Sequence, residues 1–343
     1  MNNKLRLAII GCGAVAERGH LPAIAKLDGI QVTVLVDKNR PRAEELAWLH
    51  NVPHVVEDYT QVWDNVDAAI VALPHYMHAP VSIDLLKRGI HVLVEKPMAL
   101  NVTDCDAMIE AAQQGGATLA VGIMRRFLPS YQFVKALIGT GFLGKIDSFD
   151  MREGLVYNWP VASDFFFHKE TAGGGVLIDT GAYTMDAVQY WFGDCKSLDY
   201  LDDNMGGVEA NCEIHLKMEN DVEGYVELSR TRDLRNTAII RGERATLEVS
   251  LRSSSVSLHP KGLGYKVAGN VLEDEAIQSK GESLVDLVKA ELEDWVEAIT
   301  EKRQPRVPGE EGRKSVALIE ACYKNRRPLE LPWLSPKLPE YVI

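Results

Sequence analysis

Cysteine is sparse and scattered: Cys12, Cys105, Cys195, Cys212 and Cys322 form an odd set without a C-x-x-C pair. That excludes a disulfide framework and points to reduced thiols. The histidines show no H-E-x-x-H or comparable spacing, so no metal site is expected. No apolar run approaches the about 20 residues needed to span a bilayer. Met1-Asn2-Asn3-Lys4-Leu5-Arg6 leads directly into a strand-like segment without an apolar signal core, and the chain is read as cytoplasmic with no membrane partner. Basic residues are outnumbered by acidic ones, 37 to 49, a formal net charge of −12 with no Lys/Arg block. Nucleic acid and anionic membrane are poor partners for such a surface. Internal repeats and low-complexity segments are also missing. The 343 residues, 46% apolar and 25% charged, are enough for a packed core and two domains.

Short β-branched runs recur in the first third: Leu5 to Ile10, Val32 to Val36, Ala68 to Ala72, His91 to Val94 and Thr118 to Gly122. Helical stretches lie between them at Pro41 to His50, Ala79 to Lys87 and Thr103 to Gln114, the last opened by Asn101 with Asp104 three positions on. This alternation is that of a parallel sheet. Gly19 and Pro22 interrupt the helix after the first strand, so a break is expected there with Pro22 in a new first turn. From about residue 124 the pattern changes to polar-alternating stretches, Ile146 to Val156, Asn211 to Lys217, Gly224 to Arg230, Ala238 to Ile240 and Ala245 to Ser250, read as antiparallel strands. Met218-Glu219-Asn220-Asp221 and Gly242-Glu243-Arg244 read as hairpin turns. Helices over Leu284 to Thr300 and Gly309 to Tyr323 and a proline-rich tail from Pro328 to Pro339 close the chain. The division is 1–123 and 124–343.

The first strand runs into Gly11-Cys12-Gly13-Ala14-Val15-Ala16, a G-x-G-x-x-A sequence between a strand and a helix. Gly11 permits the tight turn, Gly13 lets a pyrophosphate approach the backbone, and Ala16 lets the helix pack closely, while free N–H groups at the helix start face the anion. The second strand ends at Asp37, where a carboxylate accepts hydrogen bonds from an adenosine ribose. It also repels a 2′-phosphate, so NAD is favoured over NADP, although Lys38 and Arg40 nearby weaken that preference. The plainer alternatives are an ordinary glycine turn and a helix-capping Asp.

Two further strand ends open on the same edge of the sheet, Leu73-Pro74-His75-Tyr76-Met77-His78 and Val94-Glu95-Lys96-Pro97. A lysine ending a buried strand is costly without a partner or ligand, and such a site can lower its pKa toward neutrality. Pro97 fixes the chain just after it, in a bond open to the cis form. The alternative is a solvated Glu95–Lys96 pair at a loop start. Farther on, Gly173-Gly174-Gly175 precede Asp179, Tyr183 and Asp186, spaced to share one helix face. Asp179 and Tyr183 can bracket a substrate hydroxyl there, or Asp179 can be a simple N-cap. Arg230, Arg232 and Arg235 suit a carboxylate or phosphate, or else lie on an exposed sheet face. Trp159 and His168 suit a sugar pocket, or else a rim.

Together, Gly11-Cys12-Gly13, Asp37, Glu95-Lys96-Pro97, Arg125-Arg126-Phe127 and the stretch from Gly173 to Tyr183 resemble the Gfo/Idh/MocA oxidoreductase family in order and spacing. The resemblance implies a fold of class α/β. Its parts would be an N-terminal Rossmann doubly wound parallel sheet and a C-terminal α/β domain with a large open, mainly antiparallel sheet. That sheet would carry the substrate and make a homo-oligomer, a dimer or tetramer. The implied activity is hydride transfer between NAD(P) and a carbinol or keto carbon of a sugar-like substrate, be it a sugar, cyclitol, uronate or nucleotide sugar. The cofactor set is Gly11, Gly13, Ala14, Val15, Asp37, Pro74, His78, Glu95 and Lys96. Lys96, Tyr183 and Asp179 are the catalytic set, and Arg126, Trp159 and His168 join them in binding substrate. Many members place His where this chain has Tyr183; Lys96 beside it is expected to favour phenolate and lower the phenolic pKa. A dinucleotide-binding regulatory protein and an NAD-dependent redox-neutral glycosidase are the alternatives.

Overall fold

Strands apolar on both faces demand cover on both sides, which a parallel sheet wrapped in helices supplies. The computed structural model describes residues 4–160, 163–272 and 282–329. In it β1 (Leu5–Ile10), β2 (Ile30–Val36), β3 (His54–Val56), β4 (Ala68–Val71), β5 (His91–Glu95) and β6 (Leu119–Gly122) form one parallel sheet in the order β3-β2-β1-β4-β5-β6. The order reverses between β1 and β4, which opens a crevice at the carboxyl ends of the strands. Three residues were too few for β3 to show in the sequence pattern.

The helices that complete this unit carry the punctuation read from sequence. The break expected before Pro22 is corrected: after β1 the backbone stays helical from Ala14 onward, widening over Ala16–His20 and running without interruption into α1 (Leu21–Ile24), where the wide turn accommodates Pro22. α2 (Arg40–His50) is capped by the Asn39 side chain, and α3 (His78–Leu86) follows β4. In α4 (Val102–Gly115) the Asn101 side chain accepts from the Asp104 N–H, and Gly116, at φ +64°, ends it.

A second sheet is built after α5 (Pro129–Gly139) from β7 (Ile146–Gly154), β8 (Cys195–Asp202), β9 (Asn211–Met218), β10 (Glu223–Ser229), β11 (Thr237–Gly242), β12 (Ala245–Ser250), β13 (Ser255–Pro260), β14 (Val267–Asn270) and β15 (Arg326–Pro328). Its order is β14-β13-β12-β11-β7-β10-β9-β8-β15. Most pairs are antiparallel, but β7 and β10 run parallel, as do β8 and β15. The reading of Ile146 to Val156 and Gly224 to Arg230 as antiparallel is corrected for that pair. Helices α6 (Lys169–Ala172), α7 (Val176–Asp179) and α8 (Gly181–Phe192), then β8 and β9, intervene in the chain and bring β10 back in the direction of β7. Both hairpin turns stand where expected, joining β9 to β10 and β11 to β12. Phe149 of β7 stacks on Phe192 of α8 at 4.2 Å, and the helices over this face bury the second core.

The last two helices are shared between the units. α9 (Leu284–Glu301), capped by Ser283, sends Val288, Leu292 and Trp295 into the core against Leu7, Ile9 and Leu35 of the parallel sheet. α10 (Gly309–Lys324) places Val316 among Val94 and Val121 on the sheet's other side. All five cysteines are free, and among the described residues no helix is long and apolar enough to cross a membrane. Pro328 ends β15; residues 330–339 of the proline-rich tail lie outside the described residues.

Candidate active site

The crevice is one end of a cavity of about 820 Å³ that runs from Gly11, Gly13, Ala14, Val15 and Asp37 past Pro74 to Lys96, Asp179 and Tyr183. Gly11 has φ +102°, and a Cβ there would lie 2.2 Å from the Ala72 carbonyl oxygen. Only glycine brings the ends of β1 and β4 this close. Gly13 differs in kind: a Cβ there would meet no protein atom within 4 Å, so what it would fill is the cavity itself. The Asp37 carboxylate is fixed at the end of β2, accepting from the Cys12 N–H at 2.7 Å and the Asn39 N–H at 2.7 Å. Arg40 is engaged by Glu44 at 2.7 Å, whereas Lys38 lines the cavity. Bare glycine backbone beside an anchored carboxylate fits a dinucleotide, with Gly11 to Val15 toward the pyrophosphate and Asp37 toward the ribose.

The inner part of the cavity is built where β5 meets the glycine run. Glu95 lies 2.9 Å from His20 Nε2. Burial opposes ionisation of Glu95, but the His20 hydrogen bond and the His20 and Lys96 charges hold it below the ordinary carboxyl range. The Lys96–Pro97 bond is cis. Lys96 Nζ donates to Asp179 Oδ1 at 2.6 Å and to the Asp179 carbonyl oxygen at 3.2 Å, while Arg230 donates to Oδ2 at 2.7 Å. Those two cations overcome the burial of Asp179 and keep it ionised far down in pH. Glycine is required upstream, since a Cβ on Gly175 would lie 1.8 Å from the Glu209 carbonyl oxygen.

Tyr183 stands one helical turn beyond Asp179, its ring 5.1 Å from Lys96 Nζ and 4.4 Å from the Arg125 guanidinium. Its phenol is pushed up, by burial first and by Glu95 next. The expected lowering by Lys96 is therefore corrected. The ammonium pairs with Asp179 and lies 5.1 Å from the centre of the Tyr183 ring, and the buried phenol keeps its proton.

Trp159 lines the cavity with Tyr157, Phe165 and Phe166. His168 does not: it is exposed and pairs with Asp164 at 3.2 Å. Arg126 is the clearest correction. It is 3% exposed, forks onto Asp186 at 2.6 and 2.8 Å and reaches Glu311 at 2.9 Å, tying the exit of β6 to α8 and α10. Its neighbour Arg125 faces the cavity and holds Glu153 at 2.8 and 2.6 Å. The tight turn Met124–Phe127 sends successive arginines to different partners. Asp186 accordingly leaves the polar face proposed for it. Among the three arginines after β10, Arg230 reaches the site, Arg232 pairs with Glu227 at 2.8 Å and Arg235 with Asp150 at 2.6 Å.

The His78 ring lies between the carbonyl oxygens of Pro97 and Leu73, at 2.7 and 2.8 Å, and clamps the two strand-end loops together. His75 was passed over as a site residue. Its Nδ1 lies 2.8 Å from the Ala172 carbonyl oxygen, it lines the cavity, and burial lowers its pKa to about 3, leaving the ring neutral. Glu291 was also missed, although a Glu inside the apolar stripe of α9 was a signal available in the sequence.

Residues 5–123 match an oxidoreductase family described by its NAD-binding Rossmann fold, and residues 135–331 match the C-terminal alpha/beta domain of the same family. The D-glucoside 3-dehydrogenase of Escherichia coli (strain K12) is 30% identical over 206 residues, 56% of this chain and 55% of its own. The scyllo-inositol 2-dehydrogenase (NADP(+)) of Bacillus subtilis (strain 168) is 30% identical over 208 residues, 57% of this chain and 60% of its own. The crystal structure of the aldose-aldose oxidoreductase from Caulobacter crescentus, complexed with glycerol, is similar with a TM-score of 0.82 at 25% identity, covering 94% of this chain and 97% of that one.

Proposed function

The chain belongs to the Gfo/Idh/MocA oxidoreductase family, whose members include NAD(P)-dependent dehydrogenases acting on CH–OH groups, and on that premise we propose hydride transfer between nicotinamide and a sugar-like substrate. The reacting atom is a carbinol or keto carbon. The observation that carries this reading is the convergence of Lys96, Asp179, Arg230 and Tyr183 in the same cavity as the bare backbone of Gly13. When bound, the nicotinamide supplies or accepts the hydride.

The chain's own residues handle the proton and the geometry. Lys96, which donates twice to Asp179, has its third N–H left to meet the substrate oxygen. In the reductive direction it gives that oxygen its proton as the alkoxide forms, and oxidation follows the same path in reverse. Tyr183 donates its neutral O–H to the same oxygen. Asp179 keeps lone pairs beyond those used by Lys96 and Arg230, and a substrate hydroxyl donates to them. The aromatic wall of Tyr157, Trp159, Phe165 and Phe166 offers apolar faces to a sugar ring and displaces water from it. NAD is the cofactor in this reading, because the anchored Asp37 carboxylate repels a 2′-phosphate. The proposal includes a dimer or tetramer, supported by exposed Val267 in the edge strand β14 and exposed Leu263 and Tyr265 just before it.

The test is reduced-nicotinamide absorbance with NAD(H) and NADP(H) against free sugars, cyclitols, uronates and nucleotide sugars. Turnover is expected in one of these classes. Lys96→Met should then lower it by about 10²–10⁴-fold, the range of a positioned proton donor, with NADH affinity retained. Unchanged turnover in that variant would remove Lys96 from the mechanism.

A further inference from the structure

α9 buries Leu287, Val288, Leu292, Trp295 and Ala298 along one stripe, and Glu291, 4% exposed, lies in the middle of it. A carboxyl at a core position is costly unless something satisfies it. Here Oε1 is buried without a hydrogen-bond partner among the described residues, yet the side chain lines the cavity that holds Lys96 and Tyr183. Two acids share this end. Glu95 has His20 at 2.9 Å and ionises. Burial, with the Glu95 charge next, pushes Glu291 well above the carboxyl range, so it keeps its proton.

A neutral carboxyl presents one O–H donor and one carbonyl acceptor side by side. A primary carboxamide presents the complementary pair, a carbonyl acceptor and an N–H donor. With Gly11 to Val15 toward the pyrophosphate, the nicotinamide must lie at the end of the cavity where Lys96 and Tyr183 are. We propose that Glu291 is a further cofactor-binding residue, its carboxyl pairing side by side with the carboxamide of the nicotinamide. This rests on the dinucleotide reading of the groove and adds to it a residue from the C-terminal part of the chain. The first sheet's ligand is then held in part by a helix that follows eight of the nine strands of the second sheet in the chain.

The experiment compares NADH with ADP-ribose, which has the same adenosine and pyrophosphate but lacks the nicotinamide, by titration of wild-type protein, Glu291→Leu and Glu291→Gln. Glu291→Leu should weaken NADH by about tenfold, the loss of a pair of neutral hydrogen bonds. Glu291→Gln, whose amide can pair with a carboxamide in the same way, should restore NADH binding. ADP-ribose should bind all three proteins equally, which also reports that the variants are folded. Unchanged NADH affinity in Glu291→Leu, a loss shared by ADP-ribose, or a Gln variant as weak as the Leu variant would each overturn the assignment. Wild-type protein that binds neither ligand would overturn the dinucleotide reading, and this assignment with it.

Discussion

Gly13→Ala separates binding from folding. The added methyl would meet no protein atom within 4 Å, so it costs no packing, and it projects into the cavity where the pyrophosphate is placed. Stability without ligand should change by no more than about 0.5 kcal/mol, as for substitutions away from packed features. Keeping the pyrophosphate off the backbone removes one or two charge-assisted hydrogen bonds of about 1.5–3 kcal/mol each, or roughly a hundredfold in affinity. The assay is thermal unfolding with and without NADH. At a ligand concentration about 100 times the wild-type Kd, the wild type gains about 2.7 kcal/mol, whereas a hundredfold weaker variant gains only about 0.4 kcal/mol. Gly11→Ala is the opposite case. Its φ of +102° and the Ala72 carbonyl oxygen at 2.2 Å make it destabilising even without ligand. A Gly13→Ala protein with the full NADH-dependent rise in Tm would refute the placement of the pyrophosphate.

Arg126→Met should leave Asp186 buried and unpaired and cost about 3–5 kcal/mol, measured by urea unfolding, with KM for any substrate unaffected; a KM effect without loss of stability would return Arg126 to the substrate site. Asp37→Ala should narrow the NADH-over-NADPH affinity ratio by about tenfold, and an unchanged ratio would mean that Asp37 does not face the ribose. For pH, Asp179 has its folded value lowered against its burial by Lys96 and Arg230. Its contribution is present above the unfolded carboxyl value, about 3.9, and is lost as pH falls through the lower folded value. Asp179→Asn should therefore be less stable than wild type near neutrality, with the gap closing as pH falls below about 4; a gap constant across an acid series of urea melts would contradict the ion pairing.

Features that depend on neighbours along the chain were legible in the amino-acid order. The parallel strands, the Asn101 cap and the glycine turn at Gly11 all follow from local periodicity and backbone allowance. Lys96, Asp179 and Tyr183 stood out for the same reason, since chemistry-bearing residues at strand ends and beside glycine runs are visible one segment at a time. Arg126 failed this approach. In Arg125-Arg126 nothing local says which guanidinium turns to the cavity, because the choice is made by Glu153 on one side and Asp186 on the other, 28 and 60 positions away.

The order of residues by itself determined the alternating unit, the glycine turn after its first strand and which chemistry-bearing side chains stand at the strand ends and beside the glycine run. Tertiary structure decided which of those groups meet. It ran β7 and β10 parallel, set Arg230 and Lys96 on one carboxylate, kept the proton on the buried Tyr183 phenol, and returned α9 to the first sheet with Glu291 facing the cavity. The physical reason is range: propensity and pattern act over a few residues, whereas the partner that pairs a buried charge is chosen by packing between segments that are distant in sequence.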